Sequence, residues 1–164
     1  MTEFLDTCEV TCTVNGVEVS RSLPPRLTLA ELLRDILGLT GTKLSCHLQV
    51  CGVCTVLVDG RPVSSCTYLA VDADGQSIQT VEGLSGPDGL HPLQECFVDC
   101  LALQCGFCTP GFLMMAKALL DQEPNPSDDD ILDHLDGNLC RCTGYRPIAE
   151  AVRSAAQRLR GETA

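Results

Sequence analysis

Four cysteines, placed as two close pairs far apart in the chain, constrain this sequence more than any other feature. One pair lies in Gln104 to Gly111, which reads Gln-Cys-Gly-Phe-Cys-Thr-Pro-Gly, and the other in Asn138-Leu139-Cys140-Arg141-Cys142. Each pair occupies a predicted tight turn, so all four sulfurs can meet once the intervening chain folds back. We call this the downstream site, and its members are Cys105, Cys108, Cys140 and Cys142. The pattern predicts a metal site made only of cysteine thiols.

A second set of cysteines lies earlier in the chain. This upstream site consists of Cys46, Cys51, Cys54 and Cys66. The spacing of its first three members matches the plant-type pattern for a 2Fe-2S cluster, in which each iron takes two thiolates. Three thiols so close together suit a two-iron cluster better than a single zinc ion. The two sites account for eight of the 12 cysteines.

Zinc is a rival for the downstream site, because four-cysteine zinc sites also use paired cysteines. Structural zinc sites usually place two to four residues between the members of a pair. Here only Arg141 separates Cys140 from Cys142. Spacing therefore favours iron–sulfur at this site and leaves zinc open.

The remaining four cysteines are interpreted as core residues. They are Cys8, Cys12, Cys96 and Cys100. The first two alternate with polar residues along a predicted strand, and the other two lie on the apolar stripe of a predicted helix. Chelation by the helical pair is the alternative, since its members are four positions apart. Free cysteine behaves as a small buried hydrophobe, which favours the core for all four.

Length, charge and the N-terminus limit the class of protein. A chain of 164 residues can bury one good core or two small ones. A formal net charge of −11 argues against nucleic-acid binding, because phosphates are bound through Lys and Arg. Met1 to Glu9 lacks the basic and apolar segments of a signal peptide, so we expect reduced thiols in the cytoplasm. The sequence has no apolar run of the ~18 residues that a membrane span requires.

The first half of the chain has the pattern of a small mixed sheet crossed by one helix. Asn15-Gly16 and Asp59-Gly60 are hairpin turns between short β-type runs, and Ile78 to Val81 is a last strand. A capping box of Thr28 and Glu31 predicts a helix of about ten residues, with Ile36 on its apolar face. Gly41 to Cys54 is expected to lack regular structure, because it must turn three sulfurs inward.

From His91 the apolar period changes from two to 3.6, which predicts four helices. Their signals are a stripe from Leu93 to Leu101, a segment from about Phe112 to Asp121, a cap at Ser127, and a start near Pro147 with apolar positions through Leu159. The loop 85–89 separates the two halves. We therefore predict an α+β fold with a sheet domain at 1–84 and an all-α four-helix domain at 85–164, whose linking loops carry the downstream thiols.

Nothing else in the sequence has the pattern of a substrate site. Ser, His and Asp residues show no nucleophile arrangement, and no phosphate-binding glycine-rich loop occurs. A 2Fe-2S centre ligated by four thiolates cycles by one electron and has no free coordination position. The chain is thus interpreted as an electron carrier that is not a complete enzyme by itself.

Together these motifs resemble the iron–sulfur subunit or domain of the molybdenum hydroxylases, such as xanthine dehydrogenase, aldehyde oxidoreductase and carbon monoxide dehydrogenase. The resemblance covers about residues 10 to 158. Its most specific parts are Gly41-Thr42-Lys43, Cys51 to Gly60, His91-Pro92-Leu93-Gln94, Gln104 to Gly111 and Gly137 to Tyr145.

The resemblance implies a plant-type ferredoxin-like β-grasp domain followed by a four-helix domain. It also implies a large partner subunit with a molybdopterin cofactor, commonly a medium FAD subunit, and a higher-order heteromer such as a dimer of heterotrimers. In enzymes of this kind a substrate carbon is hydroxylated with oxygen from water. The electrons then leave singly through the two 2Fe-2S clusters to flavin, so the chain would be the relay subunit of an oxidoreductase.

By the same likeness, the downstream thiols hold the cluster nearer molybdenum, Gln104 lies close to the pterin, and the upstream thiols hold the cluster nearer FAD. The family usually carries Gly-Cys-Asp-x-Gly-x-Cys around the first ligand. Here Ser45, His47 and Gln49 stand at the positions of that Gly, Asp and Gly. All four upstream thiols are retained, so the departure bears on loop conformation and redox potential and not on cluster binding.

Two other functions are carried as alternatives. One is a free-standing ferredoxin-like carrier that serves several enzymes, and the other is a zinc-stabilised interaction module. Co-purification with a large molybdenum subunit distinguishes the relay subunit from the free carrier. Labile sulfide distinguishes both from the zinc module.

Overall fold

Five short strands form one mixed sheet in the computed structural model, which describes residues 7–87 and 89–162. They are β1 (Cys8–Val14), β2 (Val17–Leu23), β3 (Thr55–Val58), β4 (Arg61–Ser64) and β5 (Ser77–Gln79). The order across the sheet is β2-β1-β5-β3-β4. Strands β1 and β5 are parallel, and the other neighbours are antiparallel. With the helices given below, this confirms an α+β fold.

Both predicted hairpins are present. Val14 pairs with Val17, so Asn15 and Gly16 make a two-residue turn, and both have positive φ, 50° and 81°. Such a turn twists the same way as the strands that flank it. Asp59-Gly60 joins β3 to β4 in the same manner.

The last strand is shorter than predicted, because the chain leaves the ladder at Thr80. The Thr80 amide donates to Asn15 Oδ1 at 2.9 Å, and its hydroxyl donates to Glu82 Oε2 at 2.6 Å. A 3₁₀ turn at Val81–Gly83 follows directly.

Helix α1 (Leu29–Glu31) crosses the sheet and continues as a π-helical turn at Leu32–Ile36. The predicted capping box is confirmed, since Thr28 Oγ1 accepts from the Glu31 amide and Glu31 Oε2 accepts from the Thr28 amide. The wider π turn changes the phase of the helix. Ile36 is consequently exposed, and its predicted burial is wrong.

Four helices follow the sheet within the described residues. They are α2 (Pro92–Asp99), α3 (Thr109–Gln122), α4 (Asp128–Leu135) and α5 (Arg146–Leu159). Helix α3 begins three residues earlier than predicted, because Pro110 lies in the first turn, where its missing N–H costs nothing. The predicted cap at Ser127 is confirmed, as its hydroxyl oxygen accepts from the Asp130 amide.

Three residues predicted to be core lie at the ends of elements and are exposed. Cys8 is the first residue of β1, Leu101 follows the end of α2 at φ 53°, and Leu159 is the last residue of α5. In each case the apolar pattern of the sequence extends beyond the part of the element that packs against its neighbours. Cys12 and Cys96 are buried as predicted, whereas Cys100 is only half-buried.

The apolar side chains form two clusters. One lies between the sheet and α1 and is built from residues such as Val10, Leu29 and Ile78. The other lies among the four helices and also includes Val53 and Leu57 from the sheet half. The two halves therefore share a packed boundary, which runs beside the loop that carries the upstream thiols. Within the described residues, no helix is long and apolar enough to cross a membrane.

Candidate metal centres

The upstream thiols lie on the loop before β3 and on the turn after β4. As predicted, residues 41–54, all of them described, form no helix or strand. Cys51, Cys54 and Cys66 are buried, and Cys46 is half-buried. The β3–β4 hairpin returns the chain toward the loop, which brings Cys66 to the other three.

Backbone amides stabilise the thiolate of Cys46. The amides of Leu48 and Val50 each donate to Cys46 Sγ at 3.4 Å. These two bonds, with a further one from the Cys51 thiol, lower the pKa of Cys46 to about 6. The thiolate is the form that binds metal.

The four upstream thiols lie as two neighbouring pairs. The Cys51 thiol helps to lower the pKa of Cys46, and Cys66 acts on the pKa of Cys54, so each thiol lies beside its partner. Burial is the main reason that the pKa of Cys54 rises to about 11. A bound metal would have to displace that proton, since metal ligation deprotonates a thiol.

The upstream loop has an unusual backbone for its sequence. His47 and Gln49 have φ of 56° and 58°, in the left-handed region. That conformation costs a side-chain-bearing residue about 1–2 kcal/mol. The family pattern has Gly where Gln49 stands, and glycine takes this conformation freely. Gln49 Oε1 accepts a hydrogen bond from the Thr67 hydroxyl at 3.1 Å, which ties the loop to the residue after Cys66.

The downstream thiols lie on two separate loops, one between α2 and α3 and one between α4 and α5. Cys142 Sγ and Cys105 Sγ are 3.5 Å apart, although they are 37 positions apart in sequence. Cys108 lies beside Cys140, which is one of the groups that raise its pKa. These four thiols therefore also form two pairs, and each pair draws one member from each loop.

Cys140 is surrounded by donors. Its sulfur accepts from the amides of Cys142 and Thr143 at 3.5 and 3.4 Å and contacts the Thr143 hydroxyl at 3.2 Å. Burial opposes ionisation of this thiol, but the bonds from Thr143 and Cys142 outweigh it and lower the pKa of Cys140. Burial, followed by the bond to Cys140, raises the pKa of Cys108 to about 12.

The geometry of both sites fits a two-iron cluster. A 2Fe-2S centre needs two thiolates on each iron, which is the arrangement of two pairs found twice here. A cavity of about 370 Å³ opens among the downstream thiols. Among residues 7–87 and 89–162, no three Cys, His, Asp or Glu side chains converge as a single ion would require.

Gln104 lies on the surface beside the downstream site. Its Nε2 donates to the Cys142 carbonyl at 3.0 Å and so ties the α2–α3 loop to the α4–α5 loop. The residue is exposed and so does not pack inside the helical bundle.

Two further residues support the sites, and their roles were not predicted. Tyr145 has φ 67°, and its hydroxyl accepts from the Cys140 amide at 3.1 Å. Asn138 Nδ2 donates to the Gly52 carbonyl at 3.1 Å, which joins the downstream loop to the upstream one. Asn138 and Tyr145 both belong to the motif from Gly137 to Tyr145, but only the folded chain shows what they contact.

Models of two protein families match the chain. One is described as a 2Fe-2S iron-sulfur cluster binding domain and matches residues 12–85. The other is described as a [2Fe-2S] binding domain and matches residues 80–153.

Relatives of known identity match nearly the whole chain. The nicotine 6-hydroxylase small subunit of Paenarthrobacter nicotinovorans is 52% identical over 151 residues, which are 92% of this chain and 90% of that subunit. A chain in the crystal structure of quinoline 2-oxidoreductase from Pseudomonas putida 86 superposes with a TM-score of 0.89 at 47% identity, with coverage of 96% and 99%. Aldehyde oxidoreductase from Desulfovibrio gigas gives a TM-score of 0.90 at 43% identity, and 94% of this chain corresponds to 17% of that longer one.

Proposed function

The chain belongs to the iron–sulfur small subunits of the molybdenum hydroxylases, and on this premise we propose that it relays single electrons within such an enzyme. The electrons would enter from a molybdopterin centre on a large partner subunit and leave to FAD on a medium one. The observation that carries this proposal is that distant parts of the chain bring the downstream thiols together, with Cys105 and Cys142 at 3.5 Å and all four around one cavity.

The pairs suggest which thiols share an iron. At the upstream site, Cys46 with Cys51 would hold one iron and Cys54 with Cys66 the other. At the downstream site, the corresponding pairs would be Cys105 with Cys142 and Cys108 with Cys140. A bound 2Fe-2S cluster supplies one-electron chemistry at a potential that depends on hydrogen bonds to its sulfurs and on exposure.

The protein's own contribution is to position and stabilise the thiolates. The amides of Leu48 and Val50 point at Cys46, and the amides of Cys142 and Thr143 point at Cys140. Hydrogen bonds to a charged acceptor are stronger than those between neutral groups. These donors hold negative charge on the sulfurs without a titratable base.

Exposed apolar side chains around both sites support docking to partner subunits. Leu48 and Val50 lie between the predicted upstream ligands and are 72% and 61% exposed. Phe107, Leu139 and Tyr145 line the downstream cavity and are also exposed. We assign the downstream face, with Gln104, to the molybdopterin subunit and the upstream face to the FAD subunit, in a heteromer such as a dimer of heterotrimers.

We further propose that the chain divides into a β-grasp, ferredoxin-like domain at 1–84 and a four-helix domain at 85–164. The parallel pairing of β1 with β5 and the helix across the sheet support the first assignment. The separate apolar cluster among the four helices supports the second.

Metal and sulfide analysis tests the cluster assignment. We expect four irons and four labile sulfides per chain, since each 2Fe-2S cluster contains two of each. Reduction should give two distinct paramagnetic signals. Two irons per chain would contradict the assignment of two clusters. Stoichiometric zinc without sulfide would contradict the proposal and favour the interaction module.

Purification of the native protein tests the assembly. We expect it to be isolated with a large molybdopterin subunit and a medium flavin subunit, from the cytoplasmic fraction. Isolation as a monomer with four irons would instead support the free-standing carrier.

A further inference from the structure

The two predicted cluster loops are joined directly through their peptide groups. The Leu139 amide donates to the Cys51 carbonyl at 3.0 Å. Leu139 immediately precedes Cys140, a predicted downstream ligand, and Cys51 is a predicted upstream ligand. The route from one thiol to the other therefore follows covalent bonds except at this one hydrogen bond.

Asn138 forms a second bond beside the first. Its backbone amide donates to the Leu135 carbonyl, which anchors it to the end of α4. Its side-chain Nδ2 donates to the carbonyl of Gly52, the residue after Cys51. Asn138 and Leu139 thus bind two consecutive carbonyls of the upstream loop.

Burying the amide side chain of Asn138 would cost free energy if the side chain served packing alone. Asn138 is 1% exposed, and its Oδ1 is buried without a hydrogen-bond partner among the described residues. An unpaired buried polar group costs about 1–3 kcal/mol. The Gly52 carbonyl also accepts from the Thr55 amide at 3.2 Å and from the Thr55 hydroxyl at 2.7 Å. An apolar residue at position 138 would avoid the cost of the buried amide, but it would remove the one of these three bonds that comes from the downstream loop.

Two glycines make room for the bond. A Cβ on Gly52 would lie 2.6 Å from Asn138 Oδ1. A Cβ on Gly111, in the first turn of α3, would lie 2.3 Å from the Gly52 carbonyl oxygen and 3.1 Å from Asn138 Nδ2. The three elements therefore meet at backbone distance, which leaves the Gly52 peptide little freedom to move.

We propose that Asn138 is a positioning residue for electron transfer between the two clusters. By holding the Gly52 carbonyl, it keeps the neighbouring Cys51 carbonyl on the Leu139 amide, and this hydrogen bond is the bridge between the sites. With both clusters bound, the step would be the transfer of one electron, which would oxidise the downstream cluster and reduce the upstream one. No bond forms or breaks, and the Leu139 proton stays on its nitrogen. The inference rests on the proposed function, because it needs both clusters.

The test uses the assembled enzyme with Asn138→Asp, which keeps the shape of the side chain but replaces the donor with an acceptor. Asn125→Asp, the same change on an exposed loop residue, is the matched control. Electrons are introduced by pulse radiolysis, and their transfer between the clusters is followed by the separate cluster signals. Iron, sulfide and both reduction potentials are measured on the same samples.

We expect Asn138→Asp to slow transfer between the clusters while iron, sulfide and both potentials stay at their wild-type values. Asn125→Asp should match wild type throughout. A purely structural role for Asn138 would change cluster content or stability but not the rate in molecules that retain both clusters. A wild-type rate in Asn138→Asp with both clusters present overturns the inference.

A second variant tests the inference if Asn138→Asp fails to retain both clusters. Replacing leucine 139 by its α-hydroxy acid gives a backbone ester, which lacks the N–H but keeps the side chain. We expect this change also to slow transfer between the clusters, and a wild-type rate overturns the bridge. If wild-type protein itself lacks iron and sulfide, the proposed function has failed, and that result is distinct from a failure of this inference.

Discussion

The upstream and downstream sites each have four thiols, but the fold supplies them in different ways. Upstream, one loop supplies three of them, and three of the four are buried. Downstream, two loops supply two each, and Cys105 and Cys142 are exposed. The conformation of the upstream loop depends on its own residues, such as Gln49, whose backbone is left-handed. The downstream site depends on helix packing and on contacts between loops.

This difference predicts unequal sensitivity. Changes to the helical half should disturb the downstream site first, because its two loops are positioned by four helices. Changes within the upstream loop should stay local. Where the loops touch, at Gly52, Gly111 and Asn138, a single change should affect both sites.

The largest expected effect is loss of one cluster. Cys105→Ala removes a predicted downstream ligand, so we expect about half of the iron and sulfide to be lost, because each cluster holds two irons. The downstream signal should disappear and the upstream signal should remain. Cys100→Ala, which changes a half-buried cysteine outside both sites, should keep all the iron and lose only stability. Loss of a cluster in the control would mean that the ligands are wrongly assigned.

The next effect is steric, at the contact between the two halves. Gly111→Ala places a methyl group 2.3 Å from the Gly52 carbonyl oxygen. Overpacking of this kind costs about 1–3 kcal/mol, and we expect both cluster signals to change. Gly137→Ala is the control, since a Cβ there meets nothing within 4 Å in the described chain. Thermal unfolding and the spectra of both clusters measure the effect, and equal behaviour of the two variants would contradict it.

A smaller effect is expected at the hydroxyl of Tyr145. Tyr145→Phe removes the acceptor of the Cys140 amide, so stability should fall by about 1 kcal/mol. The freed amide also changes the hydrogen bonding around the downstream sulfurs, which helps set the potential of a cluster. The downstream potential should therefore shift and the upstream potential should not.

Tyr68→Phe is the matched control for this change. Its hydroxyl bonds to Gln76 at 2.8 Å in the sheet half, so a similar hydrogen bond is lost away from the downstream site. Redox titration of both clusters in the two variants gives the comparison. A downstream shift of the same size in Tyr68→Phe would rule out a local effect of Tyr145.

The smallest effect is expected within the upstream loop. Gln49→Gly relieves a left-handed conformation that costs about 1–2 kcal/mol, but it loses the bond from Thr67 and adds chain entropy. We expect unfolding free energy to rise by less than about 1 kcal/mol, with the downstream signal unchanged. Thr67→Ala, which removes the bond and keeps the strain, should instead lower stability slightly. A loss of stability in Gln49→Gly equal to that in Thr67→Ala would show that strain is negligible.

Much of the fold could be predicted because its signals are local. The two hairpin turns, the capping box at Thr28 and the cap at Ser127 depend on neighbouring residues. Errors appeared where a periodic pattern was extended past its packed part, as at Cys8, Leu101 and Leu159. Apolar periodicity indicates on which face of a helix or strand a residue lies. It does not indicate where the neighbouring element that buries this face ends.

The two sites also differ in how far the sequence predicts their geometry. The spacing of Cys46, Cys51 and Cys54 largely determines the geometry of the upstream site, because a short loop confines three sulfurs to one region. The downstream pairs needed the assumption that the chain folds back. The structure brings Cys105 and Cys142 to 3.5 Å, but the sequence did not indicate which thiol of one loop meets which of the other.

By itself, the sequence determined the order of sheet and helices and the family, and it predicted the two sets of thiols. These depend on residue spacing and local propensity, both of which can be read directly from the sequence. Only the tertiary structure decided how the thiols pair and that Asn138 and Leu139 bind the carbonyls of Gly52 and Cys51. Such contacts join residues far apart in sequence, and their partners are set by the packing of α3 against β3 and of α4 against α3. A peptide carbonyl is the same in every residue, so no sequence pattern marks the one that will be bound.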